Sequence, residues 1–182
     1  MKKLGIISFL SMFAISLSAT TVDLEKSELK WKADKELGSG HYGTIKLDSA
    51  SAEIKDGKIK KGTFVVNMKS IDVSDLSGTW KDKFLGHVKT KDFFLVDKFP
   101  TATLTITGQK SGNIAVGEIE IKKVKQPVEI KFDKKGKVYT GKLMIDRTKH
   151  GIKYGSKKNF VDLAMDKAIK DQFEIEFKIA VK

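Results

Sequence analysis

Four side chains stand out as candidates for metal binding, proton transfer or recognition of an anionic group, because their residue types are rare in this sequence. They are the only three histidines, His41, His87 and His150, and the only arginine, Arg147. A zinc site would require the three histidines to converge from distant segments, and their spacing matches no ligand motif. The alternative is that they lie at strand or helix ends and hydrogen-bond the backbone. We therefore predict no metal site.

The sequence also lacks the usual catalytic motifs. It contains no cysteine, no Gly-x-Ser-x-Gly element, no His-Glu-x-x-His element and no phosphate loop. Its carboxylates are scattered over the faces of the predicted strands that meet solvent. We predict no catalytic residue and no cofactor. An enzyme of another kind, acting on a bound quinone-like head group through His41 or His87, stays open as an alternative.

The first nineteen of the 182 residues have the layout of a secretory signal peptide. Lys2 and Lys3 precede an apolar run over residues 4–17, and small residues lead to Ala19. The run is shorter than the ~20 residues that a membrane-spanning helix needs. We predict cleavage after Ala19 and a single exported domain over residues 20–182. A retained membrane anchor is the alternative.

The formal net charge of +12 comes almost entirely from lysine. Removal of Lys2 and Lys3 with the signal peptide would leave +10. Arginine suits bidentate recognition of phosphates and bases better than lysine does, so a chain with one arginine is a poor nucleic-acid binder. We predict no nucleic-acid partner. Lysines that alternate with apolar residues, as in Lys58-Ile59-Lys60, are typical of the solvated face of a sheet.

Apolar and polar residues alternate with a period of two in many short segments, and each such segment predicts a strand. The pattern is clearest over 173–181 and after Pro100, which restricts Phe99 to extended conformations. Asp56-Gly57 is a hairpin turn signal. Because strands do not alternate with helices, about eight strands should form an antiparallel sandwich or a closed barrel. The residues expected on the inner face are Trp31, Phe64, Val66, Met68, Leu104, Ile106, Ile175, Phe177 and Ile179.

Two segments break this period. Apolar residues recur every four positions from Ser74 to Val88, which predicts an amphipathic helix with Ser74 or Asp75 as its N-cap. A second short helix is predicted over residues 159–169, with Phe160, Leu163 and Ala164 facing inward. The aromatic residues in and after the first helix would plug one end of a barrel or line a ligand entrance; they are Trp80, Phe84, Phe93 and Phe94.

Six elements of the sequence, in this order, resemble the YceI-like family. They are Gly40 to Ile45, Asp56-Gly57, Gly62 to Ile71, the segment His87 to Phe94 with Phe99-Pro100-Thr101-Ala102, Gly117 to Ile121 with Gln126-Pro127-Val128, and Asp146-Arg147 to Ile152. The chain departs from the family pattern at four positions: Asn67 replaces an acidic residue, Thr90 a serine, Lys123 a glycine and His150 an aromatic residue. The resemblance covers essentially the whole mature chain.

The resemblance implies an all-β fold, an extended eight-stranded antiparallel lipocalin-like barrel with one or two short inserted helices. It also implies a periplasmic or secreted carrier that holds a long apolar lipid, namely a polyisoprenoid, an isoprenoid quinone or a fatty acyl or amide chain. The inner-face and aromatic residues above would line the pocket. A ligand-free barrel that acts as an adaptor or inhibitor is the alternative.

Partners follow from the same resemblance. The ligand would be a long-chain lipid, and a charge of +10 would favour transient contact with an anionic membrane surface at ~1 kcal/mol per lysine. His87, at the end of the predicted helix, and Arg147 are the candidates for contact with a ligand head group. Arg147 has a structural alternative, in which its guanidinium ties the Asp146 to Gly151 turn to nearby carbonyls. The oligomeric state is not encoded in these patterns.

Overall fold

The computed structural model describes residues 20–182. The predicted signal peptide, with its cleavage after Ala19, lies outside the described residues. Within them the chain forms the helix α1 at Gly78–Val88, a 3₁₀ helix at Arg147–His150 and eight strands. The strands are β1 Thr20–Ala33, β2 His41–Lys55, β3 Lys58–Val73, β4 Thr101–Lys110, β5 Ile114–Ile121, β6 Val124–Lys135, β7 Val138–Asp146 and β8 Gln172–Val181.

The eight strands form one closed antiparallel barrel. Each strand pairs with the next in sequence, and β1 pairs with β8 to complete the wall. This confirms the predicted barrel and excludes the sandwich. Since side chains alternate across a strand, closure turns one face of every strand toward the interior. The alternating residues of β4 and β8 accordingly point their Ala, Leu, Ile and Phe side chains inward and their Thr, Glu and Lys side chains outward.

The two ends of the barrel are built differently. Three tight turns close one end, at residues 56–57, 111–113 and 136–137. The other end carries the connections 34–40, 74–100, 122–123 and 147–171, which include α1 and the 3₁₀ helix. We call this second end the mouth. Whatever enters or leaves the interior at the mouth must pass these longer segments.

Helix α1 is present but begins later than predicted. The expected start at Ser74 is wrong: the helix begins at Gly78, whose φ of 52° is left-handed, and the N-cap residue is Ser77, without a side-chain cap. Asp75 does not cap the helix because its carboxylate binds His41 and the Tyr42 N–H of β2. No helix within residues 20–182 is long and apolar enough to cross a membrane.

The second predicted helix, over residues 159–169, is wrong. This segment consists of turns. Of the three residues expected to face inward, Phe160 and Leu163 border the cavity, although Phe160 is 53% exposed, and Ala164 is exposed and does not border it. Its backbone is held from outside the segment: Ile169 N–H donates to Gly155 O at 2.7 Å, and Ile169 forms a bridge with Lys35 of the β1–β2 connection. These pairings hold the end of the segment outside a helix, and the hydrogen bonds within it close separate turns over 160–163 and 164–168.

Candidate functional site

The barrel encloses a cavity of about 1150 Å³ whose lining is mainly apolar. All eight strands contribute side chains to it, and α1 and the segments beside it contribute at the mouth. The charged residues of the lining lie only at the mouth: Asp34, Lys35, Arg147, Asp162, Asp166 and Lys167. The cavity is therefore apolar in its depth and polar at its entrance.

The depth of the cavity follows from the strands that line it. Phe173 and Val181, eight positions apart on β8, both face it. A strand rises about 3.3 Å per residue, so the two residues are ~26 Å apart along the strand. A tilt of about 40° to the barrel axis shortens this to roughly 20 Å of depth.

The structure brings most of the predicted pocket residues together. Twelve of the thirteen line the cavity: Trp31, Phe64, Val66, Met68, Phe84, Phe93, Phe94, Leu104, Ile106, Ile175, Phe177 and Ile179. The nine strand residues were predicted from strand alternation. The three aromatic residues at the mouth were predicted from the helical spacing of Phe84 and from the pair Phe93-Phe94. They form one continuous surface from the mouth toward the closed end.

Trp80 is the exception, since it does not line the cavity. Its side chain is 71% exposed, and Lys83 Nζ lies 5.2 Å from the centroid of its ring. The residue one turn later, Phe84, takes the inward position by stacking on Trp31. The placement of Trp80 in the pocket is thus corrected to the outer surface of the mouth.

His41 stands at the entrance beside Phe84. The imidazole meets the Phe84 ring edge-on at a centroid distance of 4.9 Å, and its Nδ1 lies 2.8 Å from Asp75 Oδ2. Burial acts to raise the pKa of the Asp75 carboxyl, but hydrogen bonds with His41 and with the Tyr42 N–H outweigh it and the pKa is lowered. From sequence, His41 was considered only as a metal ligand, which the spacing argued against, or as a residue of the alternative enzyme, because its neighbours Asp75 and Phe84 are distant in sequence.

An aromatic cluster on the other side of the entrance joins the two long connections. The His87 ring packs edge-on against Phe93 at 5.2 Å and against Tyr154 at 4.7 Å. His87 Nε2 lies 3.2 Å from Asp92 Oδ2. Lys122, in the β5–β6 turn, donates from Nζ to Phe93 O at 2.9 Å, and burial lowers its pKa. His87 therefore borders the cavity with a ring nitrogen that contacts a carboxylate.

Arg147 also borders the cavity, but its guanidinium is committed to the backbone. It is 4% exposed and donates to Lys170 O and Ile169 O at 2.9 Å, to Ile152 O at 3.0 Å and to Tyr154 O at 2.7 Å. Burial lowers its pKa, while nearby carboxylates oppose the shift. These contacts favour the structural interpretation of Arg147 over a head-group contact.

A family model described as the YceI-like domain matches residues 21–181. The chain belongs to the YceI-like family. A comparison with curated proteins finds no match. Solved structures share the fold: BcnA of Burkholderia cenocepacia has a TM-score of 0.68 at 22% identity, with 88% of this chain and 99% of that chain covered.

Two further structures resemble this YceI-like barrel. A polyisoprenoid binding domain from Saccharophagus degradans gives a TM-score of 0.59 at 14% identity and covers 92% of this chain and 99% of its own. The YceI protein of Campylobacter jejuni gives 0.53 at 14% identity and covers 100% and 90%. At these identities the comparisons establish the fold.

Sequence reasoning missed part of the lining of this YceI-like cavity. The residues it did not assign lie mainly on β2, β5, β6 and β7, and include Ile45, Ile119, Ile121, Ile130, Phe132, Tyr139, Leu143 and Ile145. The period-two pattern was present in the sequence for these residues too, because most of them alternate with polar neighbours.

The third histidine, His150, is buried in this YceI-like structure. Its Nδ1 lies 3.0 Å from Val124 O, so its ring links the 3₁₀ helix to the start of β6. Burial lowers the pKa of its imidazole, although hydrogen bonds with backbone groups of Val124 and Ile121 oppose the shift. Within residues 20–182, no three side chains of the His, Cys, Asp or Glu type are grouped to hold a metal ion.

Proposed function

We propose that this YceI-like protein is a carrier that holds one long-chain apolar lipid inside its barrel. The observation that carries the proposal is the cavity, about 1150 Å³ of mainly apolar space with charged residues only at its mouth. Sites for drug-sized ligands usually measure about 300–1,000 Å³. A cavity that is larger and roughly 20 Å deep suits a chain.

Tight binding of such a chain would need few polar contacts. Each methylene transferred from water to an apolar interior contributes about 0.8 kcal/mol, so ten buried methylenes gain roughly 8 kcal/mol before the costs of association. The proposed cargo is a polyisoprenoid, an isoprenoid quinone or a fatty acyl or amide chain. The solved relative from Saccharophagus degradans is described as a polyisoprenoid binding domain, which supports this class.

The polar end of the ligand would lie at the mouth. His87 and His41 are the side chains proposed to contact the head group, because both border the cavity and each contacts a carboxylate through only one of its two ring nitrogens. Arg147 is not included, since its donors are engaged by four carbonyls. His87→Ala and His41→Ala should weaken binding of a lipid with a head group more than binding of the corresponding hydrocarbon.

We also propose that the protein is exported and works in the periplasm. The basic start and apolar run of residues 2–17 support export, and membership of the family supports this compartment. Fractionation of cells that produce the full chain, with N-terminal sequencing of the product, tests both parts. A mature protein that begins after residue 19 in the periplasmic fraction is the expected result.

The deciding experiment is native mass spectrometry of the purified mature protein, followed by organic extraction and mass analysis of what is released. One long-chain lipid per protein is expected. Protein that stays ligand-free after incubation with isoprenoid quinones, polyprenyl phosphates and fatty amides would overturn the carrier proposal in favour of an adaptor. Turnover of a quinone head group would point to an enzyme.

A pair of neighbouring substitutions on β4 supplies the control. Ile106 is buried and faces the cavity, whereas Thr105 is exposed and faces solvent. Ile106→Trp should fill part of the interior and lower lipid occupancy, while Thr105→Trp adds the same side chain outside and should leave occupancy unchanged. Circular dichroism shows whether each variant keeps the barrel, and equal occupancy in both folded variants would contradict binding inside it.

A further inference from the structure

The exposed apolar side chains of this protein are gathered at one end of the barrel. Of the ten exposed large apolar residues within residues 20–182, nine lie in the mouth connections or within three strand residues of them. Leu24 is the exception. Six lie on the connections themselves, and one of them, Tyr154, belongs to the aromatic cluster at His87. The other five are Leu37, Trp80, Phe160, Val161 and Met165, which we call the rim.

The rim is strongly exposed, and part of it borders the entrance. Val161 is 72% exposed and Phe160 53%, yet both also border the cavity. Leu37 is brought close to the same segment because Glu36 N–H donates to Ala168 O at 2.9 Å. A surface that touches the rim would thus lie directly over the mouth.

The connections that carry the rim have a net positive charge. The four mouth connections hold fifteen basic and nine acidic residues, a net charge of +6. Lys83 lies against the Trp80 ring, and Lys158 is two residues from Phe160. Within residues 20–182, neither of these lysines forms a salt bridge with a carboxylate. Both lysines are exposed, and the Lys83 ammonium lies beside the apolar ring of Trp80.

We propose that the rim docks on an anionic phospholipid bilayer and places the mouth against it. Tryptophan and other large apolar side chains settle at the boundary between head groups and acyl chains, and lysines beside them attract anionic head groups. Stable attachment of a peripheral protein takes an apolar and an electrostatic contribution together, and the rim offers both. Charge complementarity distinguishes this partner from a neutral apolar protein surface.

Docking would give the proposed carrier function a route for its cargo. With the rim in the interface, a lipid tail could pass between bilayer and cavity without crossing water. The inference rests on the rim and its charge, and it does not require that the cargo be a particular lipid. It can therefore be tested with delipidated protein, whatever the outcome for the carrier.

The test is flotation of delipidated mature protein with vesicles of phosphatidylglycerol and phosphatidylcholine, compared with phosphatidylcholine alone. We expect binding only to the anionic vesicles and weaker binding at high salt. Brominated acyl chains should quench the fluorescence of Trp80, which is exposed, more than that of Trp31, which is buried inside the barrel. Absence of binding to anionic vesicles would overturn docking and leave the rim to a protein partner.

Two pairs of charge reversals separate a docking face from general attraction. Lys83→Glu with Lys158→Glu changes the mouth, while Lys60→Glu with Lys61→Glu makes the same change in net charge on β3 near the closed end. The mouth pair should weaken vesicle binding at least about tenfold, and the closed-end pair much less. Equal losses would overturn the proposed orientation.

The apolar part of the rim has its own control. Trp80→Ser with Val161→Ser removes two exposed side chains from the rim, and Leu24→Ser removes one from the opposite end. The rim variant should lose vesicle binding several-fold and the Leu24 variant should keep it. Lipid extracted from the same variants measures carrier occupancy separately, so failure of docking and failure of lipid binding are distinguishable.

Discussion

The indole of Trp31 and the phenyl ring of Phe84 stack with their centroids 5.9 Å apart and their planes inclined by only 5°. Trp31 belongs to β1, where its Nε1–H donates to Asp72 O of β3 at 2.9 Å, and Phe84 belongs to α1. The stack therefore fastens the helix to two strands of the wall. It also places α1 over the entrance to the cavity.

Phe84→Ala should lower the free energy of unfolding by about 2–3 kcal/mol, since it removes a half-buried aromatic ring and its stacking contact with Trp31. Urea unfolding followed by tryptophan fluorescence measures the loss. Phe160→Ala is the matched control: its ring is exposed, so the cost should stay below about 1 kcal/mol. Equal costs for the two variants would show that the stack does not hold α1 in place.

Gly117→Ala should destabilise the barrel by at least about 2 kcal/mol. A Cβ at Gly117 would lie 2.0 Å from Thr105 O and 2.9 Å from Ile106 Cα, so β4 and β5 would have to separate. In the same strand pair, a Cβ at Gly108 would meet nothing closer than Val116 Cγ2 at 3.9 Å. Gly108→Ala should therefore change stability by less than about 0.5 kcal/mol, and thermal unfolding of both variants checks the contrast.

Lys123→Gly should stabilise the protein by about 0.5–1 kcal/mol. Lys122 and Lys123 form the β5–β6 turn with φ values of 52° and 65°, a left-handed conformation that costs a residue with a Cβ roughly 1 kcal/mol. The pair between Lys123 and Glu120, at 3.4 Å, is exposed on the lysine side and contributes little. Lys123→Ala keeps the strained turn and controls for loss of the side chain; if both variants had the same melting temperature, the strain argument would fail.

His150 should make the protein less stable in mild acid. Burial lowers its pKa in the folded state, so below about pH 6.5 the unfolded chain binds a proton that the folded chain does not. Stability should therefore fall as the pH drops from about 6.5 toward the folded pKa. The wild type and His150→Gln are compared by urea unfolding at several pH values.

The substitution His150→Gln should cost stability at pH 8, where the histidine is neutral in both states, because the contact with Val124 O is altered. That cost should be constant at higher pH and should shrink as the pH falls below about 6.5. A cost that is the same at pH 5 and pH 8 would mean that His150 does not contribute to the acid sensitivity.

Strand alternation predicted the wall of the barrel because the period of two is a local property of the backbone. The run after Pro100 and the run over 173–181 needed no information from distant residues. The choice between barrel and sandwich did need such information, since it depends on whether β1 meets β8. The family resemblance supplied that choice, and the structure agrees with it.

The mouth was harder to predict because distant contacts determine its conformation. Asp75 was a reasonable N-cap by sequence, but the carboxylate is taken by His41, thirty-four positions away. The periodicity over 159–169 suggested a helix, yet Ile169 pairs with Gly155 and Lys35 instead. Trp80 had the correct spacing for the inner face but is exposed, whereas Phe84, one turn later, faces inward and stacks on Trp31.

The pairing of β1 with β8 has a consequence for how the chain folds. Every other seam in the wall joins neighbouring strands, whereas this one brings together groups such as Ser27 Oγ and Ala180 N, which are 153 positions apart. A contact this distant in sequence forms slowly, because most of the chain must first be ordered. Until β8 arrives, the other seven strands are an open sheet with an apolar face and two free edges. While the chain folds, this open sheet is therefore prone to aggregation until the final strand is in place.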